Sequence, residues 1–273
     1  MKKFTLAFAI TVLVVETLAV FIFSFFLSEN GVEQNVEAIL LPPSFSHWFG
    51  TDSLGRDLFA RVLMGGQVSL VVGLVCSVLT FLVGFTYGAL AGGLEGWADR
   101  VLMRLCDILL SIPSFILVAV LCLSVQVVLP FESSYWISFV SLCVGISATH
   151  WMTLARVTRG MVMEIKRRPF IEAAVAIGGS PSHILIRHIA PNMMSTLLVM
   201  VALQIPTNIL YESFMSFIGL GMQPPYTSWG ILVKEGWNTL SSYPHLLLYP
   251  SSVLFLTVWS FHVVIDSLRP TRH

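Results

Sequence analysis

Runs of apolar residues about as long as a bilayer is thick set the pattern of this sequence, and polar residues gather between them. Six such runs occur, approximately Phe4 to Leu27, Val68 to Ala91, Val101 to Leu129, Ile137 to Thr153, Met193 to Tyr211 and Leu246 to Ile265. A hydrocarbon core of about 30 Å needs roughly 20 apolar residues per helical crossing. Inside it, only helices or closed barrels satisfy their own backbone hydrogen bonds. The pattern predicts an all-α integral membrane protein with six transmembrane helices. It divides into an N-terminal helix plus external segment, residues 1–67, and a five-helix core, residues 68–273, which includes a long cytoplasmic loop at about 156–191.

Composition agrees with this reading. Of the 273 residues 56% are apolar and 11% charged, and mean hydropathy is +0.83, far from a soluble domain. Charge then sets the orientation, because Lys and Arg concentrate on the cytoplasmic side. With the N-terminus inside, the inner segments hold Lys2, Lys3, Arg100, Arg104, Arg156, Arg159, Lys166, Arg167, Arg168, Arg187, Arg269 and Arg272. The outer segments hold only Arg56, Arg61 and Lys234. An N-in, C-in topology follows, and the zero net charge hides an asymmetry that faces the lipid bilayer and gives no sign of a nucleic-acid partner. Lys2 and Lys3 ahead of an apolar run also fit a signal peptide, but this run is long and ends in bulky Phe25, Phe26 and Leu27, so an uncleaved span is expected. Cys76, Cys106, Cys122 and Cys143 lie in or beside apolar runs without metal or redox spacing and read as packing residues.

Several positions interrupt the apolar pattern. In the external segment, Asp52 or Ser53 is placed to cap a short helix over Leu58, Phe59, Val62 and Leu63, with Arg56 and Arg61 opposite. That helix either lies on the membrane or docks an external partner through Asp52, Arg56 and Asp57. Gly84, Gly88, Gly92 and Gly96 recur every four residues, a smooth stripe suited to close helix packing. The third run opens with Asp99, Arg100, Arg104 and Asp107, an expected interface cluster, and Pro113 predicts a kink. In the fifth run, Gln204, Thr207, Asn208, Tyr211 and Glu212 share one helical face around Pro206. Such a face either lines a path, with Gln204, Asn208 and Glu212 as its residues, or bonds helices together. Glu16 is a lone carboxylate within the first run, expected to be protonated, paired or turned toward a partner subunit.

The most specific segment lies between the fourth and fifth runs: Arg168-Pro169-Phe170-Ile171-Glu172-Ala173-Ala174-Val175-Ala176-Ile177-Gly178-Gly179-Ser180-Pro181. Pro169 opens a short helix, Glu172 sits in its first turn and the glycines end it. Ser180 caps a second helix with Pro181 at its first position, continuing to Pro191. Phe170, Ala173, Ala174 and Ile177 form a small apolar face that either fits a groove on another protein or folds back on the bundle.

Glu172-Ala173-Ala174, then Gly178, with Pro191 beyond it, resembles the EAA loop of binding-protein-dependent ABC importer permeases. His188 and Ala190 depart from that family's usual residues. Phe49-Gly50-Thr51-Asp52 with Gly55-Arg56-Asp57 resembles the external signature of the dipeptide, oligopeptide and nickel branch. Trp97-Ala98-Asp99-Arg100 and Ser216-Phe217-Ile218-Gly219-Leu220-Gly221 with Ser228-Trp229-Gly230 resemble two further stretches of that branch's C-type subunit.

The resemblance implies a fold like that of type I ABC importer permeases. It also implies a heterodimer with a second, homologous permease, two cytoplasmic ATPase subunits, and an extracytoplasmic substrate-binding protein. No Gly-x-x-x-x-Gly-Lys-Ser/Thr loop occurs in the chain, so ATP and Mg are expected on the ATPase partners, with no catalytic residue, cofactor or metal site here. Phe170, Glu172, Ala173, Ala174, Ile177, Gly178 and Pro191 would then form the ATPase-coupling loop. Peptides are the expected cargo, with nickel or another small solute as the alternative. A proton-coupled carrier using Glu16 or Glu212, or a membrane scaffold, are the competing classes.

Overall fold

The computed structural model describes residues 2–23, 31–94, 96–128 and 134–268. Phe25, Phe26, Leu27, Leu129, Arg269 and Arg272, which entered the sequence expectations, lie outside these. Helix α1, Lys2–Leu18, continues as a π-helical turn, Ala19–Phe23. It is followed by α2, Leu58–Gly93, α3, Trp97–Leu110, and α4, Ser114–Val128. Next come α5, Ser134–Lys166, α6, Pro169–Ala176, and α7, Pro181–Ile184. The last are α8, Ala190–Ile218, α9, Trp229–Asn238, and α10, His245–Leu268. Among the described residues the only extended pairing is an isolated bridge between Thr51 and Asp57.

Five segments are long and apolar enough to cross a membrane: Lys3–Phe23, Leu58–Gly93, Tyr135–Lys166, Pro181–Ile218 and His245–Ser267. The sixth expected span is instead the pair α3 and α4, bent by 92°. Pro113 has no N–H to give and disfavours helical backbone at Ile112. The expected kink is therefore a right-angle break.

Other expectations need correction. Asp57, not Asp52 or Ser53, caps the helix that starts at Leu58, its Oδ1 accepting from the Ala60 amide at 2.8 Å. That helix is no short surface element but the first turns of α2, whose 36 residues rise about 54 Å. The apolar residues Leu58, Val62 and Leu63 pack with Val20, Trp229 and Leu246, so they continue the bundle and the division at residue 67 falls inside a helix. Helix α5 likewise runs to Lys166, which places Arg156 and Arg159 on a span and leaves the loop to begin after it.

The bundle is organised around α2, which packs along α5 and crosses α8. Gly84, Gly88 and Gly92 are buried on the α5 side. A methyl group at Gly84 would lie 2.8 Å from the Trp151 carbonyl oxygen, and one at Gly92 would lie 2.8 Å from Val162 Cβ. Backbones approach here because no side chain intervenes. Gly96 does not belong to this seam: α2 ends at Gly93, and Gly96 has a φ of +79° with no neighbour within 4 Å of an added Cβ. A four-residue stripe exists only while the helix does.

Candidate functional site

The segment from Arg168 to Pro191 is a helix, a tight turn and a second helix. Arg168 occupies the N-cap position of α6, Pro169 its first turn and Glu172 the acidic position that favours a helix start. At its other end the Gly178 amide donates to the Val175 carbonyl at 2.9 Å and the Gly179 amide to the Ala174 carbonyl at 3.0 Å. These are the two bonds of a Schellman cap, and they require the left-handed φ of +89° found at Gly178. Ser180 Oγ accepts from the His183 amide at 3.4 Å and Pro181 opens α7. A π-helical turn, Leu185–Ile189, joins α7 to α8. It sits where Pro191 removes an N–H from the ladder. Pro191 therefore lies in the first turn of α8 rather than ending the second helix.

Helix α6 has two apolar faces with different fates. Ile171 and Ala174 are buried against Ile184, Ile189, Met193 and Leu197 of the following helices and Ala89, Leu154, Val162 and Ile165 of α2 and α5. Phe170, Ala173 and Val175 are exposed, and Ile177 is 88% exposed. The predicted face of Phe170, Ala173, Ala174 and Ile177 is thus corrected: Ala174 points inward and Val175 joins the outer set. Glu172 is exposed. The inner face fixes α6 to the ends of three spans, and the outer face is left for something else.

Beside the loop, Asp99 accepts two bonds from Arg159 at 2.5 Å, Asp107 accepts from Arg156 at 2.6 Å, and Arg168 pairs with Glu164 at 3.0 Å. The first two pairs tie α3 to α5.

The polar face of α8 turns into the bundle. Asn208 and Glu212 are both 0% exposed. Glu212 Oε2 accepts from Ser69 Oγ at 2.7 Å and Oε1 from Ser216 Oγ at 2.7 Å. Asn208 bonds Ser77 Oγ at 2.9 Å and the His150 ring at 2.7 Å. Gln204 Oε1 is buried without a partner among the described residues. Asn208 and Glu212 therefore bond α2, α5 and α8 together. Their partners Ser69, Ser77 and His150 carried no local signal in the sequence. Glu16 is paired: Thr257 Oγ1 donates to its Oε2 at 2.8 Å, joining α1 to α10.

At the end opposite the loop, the external motif is also engaged internally. Arg61, only 3% exposed, donates to Asp52 Oδ2 at 2.7 Å and makes a two-pronged bond to Glu235 on α9. Arg56 Nε donates to the same Asp52 oxygen at 2.7 Å, and the Leu54 and Arg56 amides donate to Asp52 Oδ1. Burial by itself would raise the Asp52 carboxyl, but Arg61, the two amides and the Arg56 guanidinium outweigh it and hold it below the usual range. Asp57 caps α2 and holds His47 at 2.8 Å. Asp52 and Asp57 therefore each make structural contacts within the chain. Glu235 was the residue missed, and two arginines in one outer segment facing a lone glutamate in another was the available sign.

The chain matches the family model described as binding-protein-dependent transport system inner membrane component over residues 84–270. It is 37% identical to the oligopeptide transport system permease protein OppC of Bacillus subtilis (strain 168), over 84% of this chain and 72% of that one. Against the glutathione transport system permease protein GsiD of Pectobacterium atrosepticum the figure is 37%, over 83% of this chain and 72% of the relative. Against the dipeptide transport system permease protein DppC of Bacillus subtilis it is 35%, over 89% and 74%. Among solved structures, a chain of the MetNI methionine ABC transporter in an inward-facing conformation superposes with a TM-score of 0.58 at 18% identity, covering 78% of this chain and 98% of that one, which fixes the likeness of fold. A helical bundle with five long apolar spans and one broken one, a capped loop projecting from three of them, and these matches together place the chain in the family of binding-protein-dependent transport system inner membrane components, the multi-pass permeases of ABC transporters.

Proposed function

We propose that the chain is one of two homologous permeases of a peptide importer, driven by two ATPase subunits that bind ATP and Mg on the cytoplasmic side. An extracytoplasmic binding protein delivers the cargo. The observation that carries this reading is helix α6: an outer apolar face of Phe170, Ala173, Val175 and Ile177 stands uncovered beyond the spans, while Ile171 and Ala174 lock the helix to α2, α5 and α8. Exposed apolar side chains flanked by Lys166, Arg167 and Arg168, outside any lipid-facing run, suit a groove on a soluble partner. A partner that moves this face drags the ends of three spans with it. The relatives named for oligopeptides, dipeptides and glutathione all carry peptide-like cargo in their names, which favours peptides over nickel.

The test is Gly178→Val, which puts a β-branched residue at a φ of +89° where it is strained. The variant should insert and assemble, keep ATP hydrolysis, and lose uptake of a labelled tripeptide in proteoliposomes. Ile177→Asp, which leaves the cap intact, should instead weaken ATPase association. Normal uptake in both variants would overturn the reading of α6 as the link between the ATPase and the spans.

A further inference from the structure

Beside the buried ion network lies a cavity of about 600 Å³, within the range of small-ligand pockets. It opens at the Ser216–Gly219 end of α8, and the 29 residues of that helix set it about 43 Å from the loop end. Its lining is charged and amide-rich: Arg56, Lys234 and Glu235 alongside the side chains of Gln34, Gln223 and Asn238. The charges do not cancel. Asp52 and Glu235 are matched by Arg61 and Arg56, and Lys234 has no ion-pair partner among the described residues. Its Nζ rests over Gly219, 3.1 Å from where a Cβ would be, at the C-terminal end of α8, whose dipole holds a cation there.

Arg56 is underused as well. Its Nε is taken by Asp52, but its Nη2 stands 3.8 Å from Glu235 Oε1, outside hydrogen-bond reach. Among the described residues, a third cation without an anion and a guanidinium edge without an acceptor therefore border one recess, with three side-chain amides around them. We propose that this recess takes the terminal carboxylate of a peptide, between Lys234 and Arg56, with the amides facing the adjoining peptide group. The inference rests on the peptide-importer reading and deepens it: this chain itself checks for a free C-terminus at the outer end of the bundle.

The purified full complex without its binding protein would be titrated with trialanine and with trialanine amide. The free acid should bind at least about 10-fold more tightly, the effect of one charge-assisted contact. Lys234→Gln should abolish that difference and Lys234→Arg should keep it. Equal affinity for acid and amide, no binding of either, or discrimination untouched by Lys234→Gln would each overturn the proposal. So would weaker capture of the external binding protein by Lys234→Gln with discrimination intact, which would make the recess a protein dock. Failure of the peptide reading is separate: the wild-type complete system would then not import trialanine at all.

Discussion

Adding a single methyl group to the glycine seam should cost stability, whereas adding it at Gly160, an open position on α5, should not. At Gly84 an added Cβ would meet the Trp151 carbonyl oxygen at 2.8 Å and Leu154 Cβ at 2.9 Å; at Gly92 it would meet Val162 Cβ at 2.8 Å and the Arg159 carbonyl oxygen at 3.0 Å. Carbon contacts are comfortable near 3.5–4.0 Å, so α2 and α5 must part by roughly 0.5–1 Å. The atoms met are backbone and β-carbons, which cannot rotate away. Overpacking of this kind costs about 1–3 kcal/mol, against about 1 kcal/mol gained in helix propensity by replacing glycine. Gly84→Ala and Gly92→Ala should each be net destabilising by up to about 2 kcal/mol. The double variant should cost less than the sum, because one separation of the helices relieves both sites. Gly160 on α5 has no atom within 4 Å of an added Cβ, so Gly160→Ala should be neutral or stabilising. The assay is thermal unfolding of the detergent-purified protein, followed by loss of the monodisperse fraction. Seam variants that melt at or above wild type, or a Gly160→Ala protein as weakened as they are, would refute the packing argument.

Two further predictions concern buried carboxylates. Asp52 has its carboxyl held below the usual range in the folded protein, so it stabilises above the unfolded value of about 3.9, and that contribution fades as pH falls through the folded value. The stability gap between wild type and Asp52→Asn, read by melting at pH 7 and again near pH 3.5, should therefore narrow in acid; a gap that stays constant or widens contradicts the network. Glu212→Ala would leave the Ser69 and Ser216 hydroxyls without their acceptor in a sealed interior, at about 1–3 kcal/mol per unsatisfied group. Glu212→Gln keeps one acceptor oxygen and should melt above Glu212→Ala, and the reverse order would show that these bonds do not hold α2 to α8.

What the sequence disclosed and what it hid divide along the distance between interacting residues. Lipid makes each span answerable to its own composition, so the apolar runs marked five spans and the region of the sixth without any tertiary information. The turn at Gly178 was equally legible, since Pro169, Gly178, Ser180 and Pro181 act through their own backbone angles. Pro113 announced a disturbance but not its size, because a 92° bend depends on what each half packs against. Gly96 continued the four-residue spacing one step past the point where the helix had ended. The polar residues of α8 showed their shared face but not its direction: the bond from Ser69 to Glu212 joins positions 143 apart, and that from Arg61 to Glu235 joins positions 174 apart. A serine in an apolar run costs so little that nothing nearby betrays its partner. Helix α6 concentrates the problem in eight residues. Ile171 with Ala174 and Phe170 with Ala173 are both apolar pairs three residues apart, and periodicity cannot rank them. Only the depth of α2, α5 and α8 beneath the loop decides that the first pair anchors and the second is offered outward. Which face of this loop is left exposed is therefore a property of the bundle that carries it.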